Sequence, residues 1–307
     1  MISLFCLIVG FVLLVWGADN FVEGASALAR KMGIPSLIVG LTVVAFGTSA
    51  PELAVSVTAG LSGANEIALG NVLGSNIFNL LFVAGLSAVI RPLVVEKDLL
   101  NRDWIATIIA TSVLMVLLII DGDISRVDAL ILLVGFSVVM FLQITAAKKN
   151  KIKEMEEISK DKSRNITFHM VVGLGCIIAG GQISVYGATE LARIFGLSET
   201  LIGLTVVAIG TSLPELVTSL MATKRGENSI AAGNVIGSNL FNILFILGIS
   251  CFINPIQTEI TAVFDTFVLL AVTLIMFVLA KKDKLNRTWG IALSLLYVLY
   301  TVWIILR

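Results

Sequence analysis

Of the chain's 307 residues, 57% are hydrophobic and 14% charged, against roughly 25% charged in an average globular protein, so a water-soluble fold is excluded. The 21 basic and 21 acidic residues cancel, which removes the basic excess that nucleic-acid binding needs. What remains is a membrane protein whose few polar residues carry the information.

A helix crosses a bilayer with about 20 apolar residues. Counted against that length, the apolar runs predict ten spans, at 2–30, 35–60, 66–90, 103–120, 126–146, 166–194, 198–223, 228–253, 260–280 and 288–306. These are long continuous runs without the short alternation of a barrel, so the fold class is all-α and strands are not indicated. The first run has no basic leader and no small-residue cleavage signal, so it reads as a span and not as a signal peptide. Trp16, Trp104, Trp289 and Trp303 lie toward span ends, as interfacial anchors do. Cys6, Cys176 and Cys251 stand singly in apolar runs and read as small core residues. His169, the one histidine, reads as an interfacial residue beside a basic linker, so metal binding through imidazole is not expected.

Eighteen of the 21 Lys and Arg residues fall in the odd-numbered loops, and only Arg126, Arg193 and Arg307 lie opposite. Basic loops stay cytoplasmic, which places both termini outside and the 147–165 linker inside a prokaryotic cell membrane. The linker alternates acidic and basic residues and reads as a solvated hinge. Two Asn-X-Thr triplets, at Asn165 and Asn286, fall on the cytoplasmic side and are taken as chance glycosylation matches.

An internal repeat organises the chain. Gly40–Gly60 recurs at Gly203–Thr223 with 14 of 21 positions identical, and Gly70–Ser87 recurs at Gly233–Ser250 with 12 of 18, both at an offset of 163. The expected organisation is a first five-helix repeat (1–146), the cytoplasmic linker (147–165) and a second five-helix repeat (166–307). Five is odd, so the second copy must enter the membrane from the opposite side. Such inverted-topology repeats are typical of secondary transporters.

Thr48, Ser49, Pro51 and Glu52 match Thr211, Ser212, Pro214 and Glu215 within these repeats. An ionisable residue at membrane depth costs about 2.5–3.5 kcal/mol even on the lenient insertion scale, and a bound cation would offset that cost. Pro51 and Pro214 lack an N–H and crowd the carbonyl four residues earlier, so breaks are expected near Gly47 and Gly210, freeing carbonyl oxygens. Ser75 and Asn79 share a helix face, as do Ser238 and Asn242. Gly70 with Gly74, and Gly233 with Gly237, form small-xxx-small surfaces for close helix approach. The set offers carboxylates, hydroxyls, amides and carbonyls, which suit a hard cation; calcium takes six to eight such oxygens, whereas magnesium dehydrates reluctantly. Two glutamates balance one divalent or two monovalent ions. Asp19, Glu23 and Glu190 read as vestibule or interfacial groups, and Asp121, Asp123 and Asp128 as solvated loop residues. Asp265 reads as interfacial, with a helix-packing hydrogen bond as the alternative.

With GTSAPE and GSNIFN in one half and GTSLPE and GSNLFN in the other, the sequence resembles the sodium/calcium exchanger family of the cation/calcium antiporter superfamily, in particular its bacterial and archaeal members. The resemblance runs over essentially the whole chain. It implies calcium ligands at Glu52, Glu215 and the backbone of Thr48 and Thr211. It implies sodium ligands at Ser49, Ser212, Ser75, Ser238 and the carbonyls of Ala45 and Ala208, with Asn79 and Asn242 completing the polar centre. Asparagine at 242, where the potassium-dependent branch has aspartate, argues against potassium coupling. The Val-Leu-Gly-Ser and Val-Ile-Gly-Ser that follow Asn71 and Asn234 lack the acidic residue and histidine of proton-coupled relatives.

The expectation is therefore a sodium/calcium antiporter, not an enzyme. It would be monomeric in the lipid bilayer, with no resident cofactor and with Ca2+ and Na+ as its cargo. The resemblance adds alternating access by sliding of spans one and six. A calcium/proton antiporter on the same scaffold is the alternative, with a cation channel behind it.

Overall fold

The computed structural model describes residues 2–63, 65–120, 122–149, 165–196, 206, 208–257, 260–282 and 285–306. Eight helices there are long and apolar enough to cross a membrane: α1 (Ile2–Met32), α4 (Glu66–Ile90), α5 (Leu99–Ile120), α6 (Arg126–Lys148), α7 (Ile166–Ile194), α10 (Asn228–Ile253), α11 (Thr261–Lys281) and α12 (Arg287–Leu306). The pair α2 (Ser36–Thr48) and α3 (Ala50–Ser62), bent by 48°, makes a ninth if taken as one broken span. The helix predicted at 198–223 is described as α8 (Ala208–Thr211) and α9 (Leu213–Lys224). Its earlier part, most of the linker and Asp121 lie outside the described residues.

Helix ends explain several polar residues. The Asn165 side chain accepts from the Phe168 N–H at 3.3 Å, and Asn286 accepts from the Trp289 N–H at 3.2 Å, so the asparagine of each triplet is the N-cap of a span. The Asp128 carboxylate accepts from the Ser125 N–H at 2.9 Å while the Ser125 hydroxyl accepts from the Asp128 N–H at 3.3 Å. That reciprocal capping box corrects the reading of Asp128 as a solvated loop residue. Two further expectations are overturned. Asp123–Ile124 and Ile256–Gln257 form a short antiparallel ladder, β1 and β2, where no strand was expected. It lies in the loops that lead into α6 and α11, outside the apolar runs. Trp104 is buried and its indole N–H donates to the Thr273 carbonyl at 3.2 Å, tying α5 to α11 instead of anchoring an interface. Of the cysteines, Cys251 is buried and the other two are half-buried.

The repeat is visible in the packing. The equivalent pairs α4–α12 and α10–α6 both pack closely, as do α3–α4 and α9–α10. The most extensive contact joins α1 to its own repeat mate α7, antiparallel. A Cβ on Gly17 would lie 2.7 Å from the Gly173 carbonyl oxygen, and one on Gly180 would lie 2.7 Å from the Gly10 carbonyl oxygen. Gly10, Gly17 and Gly24 thus recur at sevens, mirrored by Gly173, Gly180 and Gly187, and backbone meets backbone along the seam. One equivalence fails. α1 lies along α9, whereas α7 makes at most marginal contact with α3.

Candidate functional site

Ser49 and Ser212 mark the breaks. Their backbone angles, φ −82° ψ 10° and φ −92° ψ 6°, leave the helical region at the point where α2 hands over to α3 and α8 to α9. The breaks fall two residues beyond the expected Gly47 and Gly210. Pro51 and Pro214 sit in the first turn of the following helix, where a missing N–H costs nothing and the fixed φ fits, so the preceding residue takes the irregular conformation. The Ser49 N–H still reaches the Ala45 carbonyl at 3.0 Å, and the Thr48 hydroxyl oxygen lies 3.3 Å from that carbonyl. Ala208 opens α8 on the mirrored side.

The breaks bring the two repeats together at their serines. Ser49 donates to Glu215 Oε1 at 2.8 Å, and Ser212 donates to Glu52 Oε1 at 2.8 Å. The Ser212 and Ser75 hydroxyls are 2.9 Å apart. Thr48 donates to Asn234 Oδ1 at 3.1 Å, and Thr211 donates to Asn71 Oδ1 at 3.4 Å. Asn71 and Asn234 then donate to Ser56 and Ser219, each at 3.0 Å. Each of these cross-repeat pairs has its counterpart at the 163 offset, apart from the Ser212–Ser75 contact: the Ser238 hydroxyl has no partner. Gly233 and Gly237 do bring α10 against α2: a Cβ on Gly233 would lie 2.8 Å from the Leu37 carbonyl oxygen. Gly70 and Gly74 have no described atom within 4 Å. Of the segment that would mirror α2, residues 199–205 and 207 lie outside the described residues.

Glu52 and Glu215 are 0% and 1% exposed, and Glu52 Oε2, Glu215 Oε2, Asn79 Oδ1 and Asn242 Oδ1 have no hydrogen-bond partner. A buried polar oxygen left without a partner costs about 1–3 kcal/mol, and more when charged. Asp103, at 1% exposed, shows how this molecule treats another buried carboxylate: Arg102 bonds it at 2.7 Å and Gln143 at 3.1 Å. Among the described residues no basic side chain pairs with Glu52 or Glu215. These four unpartnered acceptor oxygens, two from carboxylates and two from amides, are matched two by two across the repeats, and their unmet demand is of the kind a hard cation satisfies.

Other charged residues resolve away from this centre. Asp19 and Glu23 bind Arg225 at 2.6 and 3.1 Å, and Glu190 pairs with Arg193 at 2.5 Å. His169 Nδ1 lies 2.9 Å from Asn20 Oδ1, and Tyr300 donates to Asp265 at 3.2 Å. Sequence reasoning missed Asn76 with Asn239, and Ser56 with Ser219, as members of the buried network. All four are identical at the 163 offset, which was the available signal.

The pattern of the sodium/calcium exchanger protein family matches residues 2–145 and 166–306. The chain belongs to the sodium/calcium exchanger family. Within it, the chain is 39% identical over 305 residues to the putative antiporter CaxA of Alkalimonas amylolytica, covering 95% of both chains. It is 34% identical to the sodium/calcium exchanger MaX1 of Methanosarcina acetivorans, covering 98% of both. The fold superposes on a solved structure of the sodium-calcium exchanger NCX_Mj, soaked with 2.5 mM Na+ and 1 mM Sr2+, with a TM-score of 0.87 at 32% identity and 98% coverage of both chains. A multi-pass membrane transporter of the exchanger family, and not an enzyme, follows from that membership.

Proposed function

We propose that the protein exchanges sodium for calcium across a prokaryotic cell membrane by alternating access, using the sodium gradient to expel calcium. The observation that carries this reading is the pair Glu52 and Glu215, each with one oxygen on the opposite repeat's serine and the other unpartnered in a buried, oxygen-only cage. Calcium would take Glu52, Glu215 and the backbone of Thr48 and Thr211. Sodium would take Ser49, Ser212, Ser75, Ser238 and the carbonyls of Ala45 and Ala208, with Asn79 and Asn242 closing the shell. Because the two glutamates balance either one divalent or two monovalent ions, sodium and calcium compete for the same negative charge, and loading one expels the other. If three sodium ions replace one calcium, one net positive charge moves per cycle, and the rate responds to membrane potential.

In this reading the chain is a monomer of ten spans, with inverted repeats at 1–146 and 166–307, a cytoplasmic linker at 147–165 and both termini outside. The antiparallel α1 and α7 and the exchanged hydrogen bonds support the inversion. With that orientation, α1 packs against α9 on the cytoplasmic side while α7 makes at most marginal contact with α3 on the other, which supports an outward-facing conformation. Sliding of the α1–α7 pair over the core would reverse the two contacts.

Purified protein in vesicles, loaded with calcium and given separate sodium and pH steps, tests the reading. Calcium flux should follow the sodium step and be unchanged by the pH step. Flux that follows only the pH step would assign calcium/proton antiport to the same cage, and current without a counter-ion gradient would make the protein a channel.

A further inference from the structure

Four buried asparagines cross the interface between α4 and α10. Asn76 and Asn239 are 0% exposed, as are Asn79 and Asn242. Asn239 Nδ2 donates to the Asn76 carbonyl at 3.3 Å, and Asn76 Nδ2 donates to the Asn239 carbonyl at 3.3 Å. Asn79 Nδ2 donates to Asn239 Oδ1 at 3.2 Å, and Asn242 Nδ2 donates to Asn76 Oδ1 at 3.0 Å.

These four bonds have only one consistent polarity. An amide side chain can turn either its oxygen or its NH2 toward a neighbour, but a backbone carbonyl only accepts. The Asn76 carbonyl therefore fixes the Asn239 amide with its nitrogen toward α4 and leaves Asn239 Oδ1 facing Asn79. That oxygen also only accepts, so Asn79 must present its NH2 there and turn its own oxygen the other way. The same sequence run from the Asn239 carbonyl fixes Asn76 and then Asn242. The oxygens left over are Asn79 Oδ1 and Asn242 Oδ1, two of the four unpartnered acceptors of the centre. Asn79 also follows Ser75 by one turn on the face that meets Ser212. Reversed, either amide would point two N–H donors at the cage and repel a cation.

We propose that Asn76 and Asn239 are positioning residues that set the polarity of the ion cage: each holds the NH2 of the opposite repeat's ligand asparagine, so that both ligand amides present oxygen to the cation. They need not touch the ion. Each repeat thereby orients a ligand that belongs to the other. This rests on the cation-cage reading, which Glu52→Gln tests separately.

The experiment is calcium binding by calorimetry and sodium-driven calcium flux for the full chain carrying Asn239→Ala, Asn79→Asp, or both. Outer-shell partners of metal ligands are worth about 10–100-fold in affinity, so Asn239→Ala should raise the half-saturating calcium concentration by that factor, with a much smaller change in maximal rate. A carboxylate has no donor end to misdirect. In the Asn79→Asp background, adding Asn239→Ala should therefore shift affinity by less than about twofold. An equal loss in both backgrounds, or wild-type affinity in Asn239→Ala, would overturn the proposal. If Asn239→Ala does not fold, Asn76→Ala with and without Asn242→Asp runs the same cycle on the other half, and failure of both alanine variants to recover in their aspartate backgrounds also counts against it. Wild-type affinity in Glu52→Gln would defeat the cage itself. Lost affinity there, with additive asparagine variants, would defeat only the orienting role.

Discussion

The buried centre and the flanks of this molecule treat the repeat differently. At the centre, most bonds made by one half are returned by the other: Ser49 to Glu215 and Ser212 to Glu52, Asn76 to Asn239 and Asn239 to Asn76. On the flanks, Arg225 holds Asp19 and Glu23, and Ser26 bonds Glu227, fastening α1 to the turn after α9. At the positions related by 163 stand Gln182, Tyr186, Ser62, Thr189 and Ala64, with no charge among them. A cation approached from either side should meet the same ligands, so the centre can keep its symmetry. In the proposed exchange, the unequal flanks would set which side is closed, and equal flanks would give no preference.

The largest effect should come from breaking the centre. Glu52→Gln or Glu215→Gln removes half of the cage's negative charge, and calcium transport in vesicles should fall by more than the roughly 100-fold ceiling of outer-shell partners. Near-equal losses in the two variants would sharpen the symmetry, whereas a wild-type rate in either would break it.

An intermediate effect is expected along the α1–α7 seam. Gly17→Leu or Gly180→Leu drives a side chain into the facing backbone, and overpacking of this kind costs about 1–3 kcal/mol, read as a lowered unfolding temperature in detergent. Gly175, on the same helix with nothing within 4 Å, provides the control: Gly175→Leu should leave the transition in place. Equal loss in both would mean that the seam is not the close contact.

The smallest effect belongs to the charged fastening. Pairs as exposed as Arg225 with Asp19 contribute roughly 0–1 kcal/mol, so Arg225→Gln should move the balance of closed and open forms by no more than about fivefold. Spin-label distances between α1 and α9, and between α7 and α3, measure it. The α1–α9 distance should lengthen in part of the population and the α7–α3 distance should shorten. An unchanged distribution in low salt would remove the fastening from the account.

Much of this was legible in the residues. Spans declare themselves by apolar length, and the described helices begin and end within a few residues of the predicted limits; α7 spans the predicted 166–194. The paired motifs announced the centre because Thr, Ser, Pro and Glu are expensive in lipid unless used. What was hidden depends on spatial partners. Trp104 reads like an interfacial tryptophan until the Thr273 carbonyl is seen beside it, and Asp128 reads like a loop residue until Ser125 closes the cap. The spacing of Asn76 and Asn239 shows only which helix face each lies on and not what crosses from the other helix. Helix periodicity also did not reveal the π turns at Asn79–Val83 and Phe241–Ile246, where the helix widens at Asn79 and Asn242. Such single turns often occur at functional sites.

The most direct measurement is diffraction from crystals soaked in calcium or its heavier analogue strontium, read by anomalous scattering. One strong peak is expected between Glu52 Oε2 and Glu215 Oε2, with the Asn79 and Asn242 oxygens turned toward the same centre and the peak lost as sodium is raised. A fully exchanged soak with no ion between those carboxylates would contradict it.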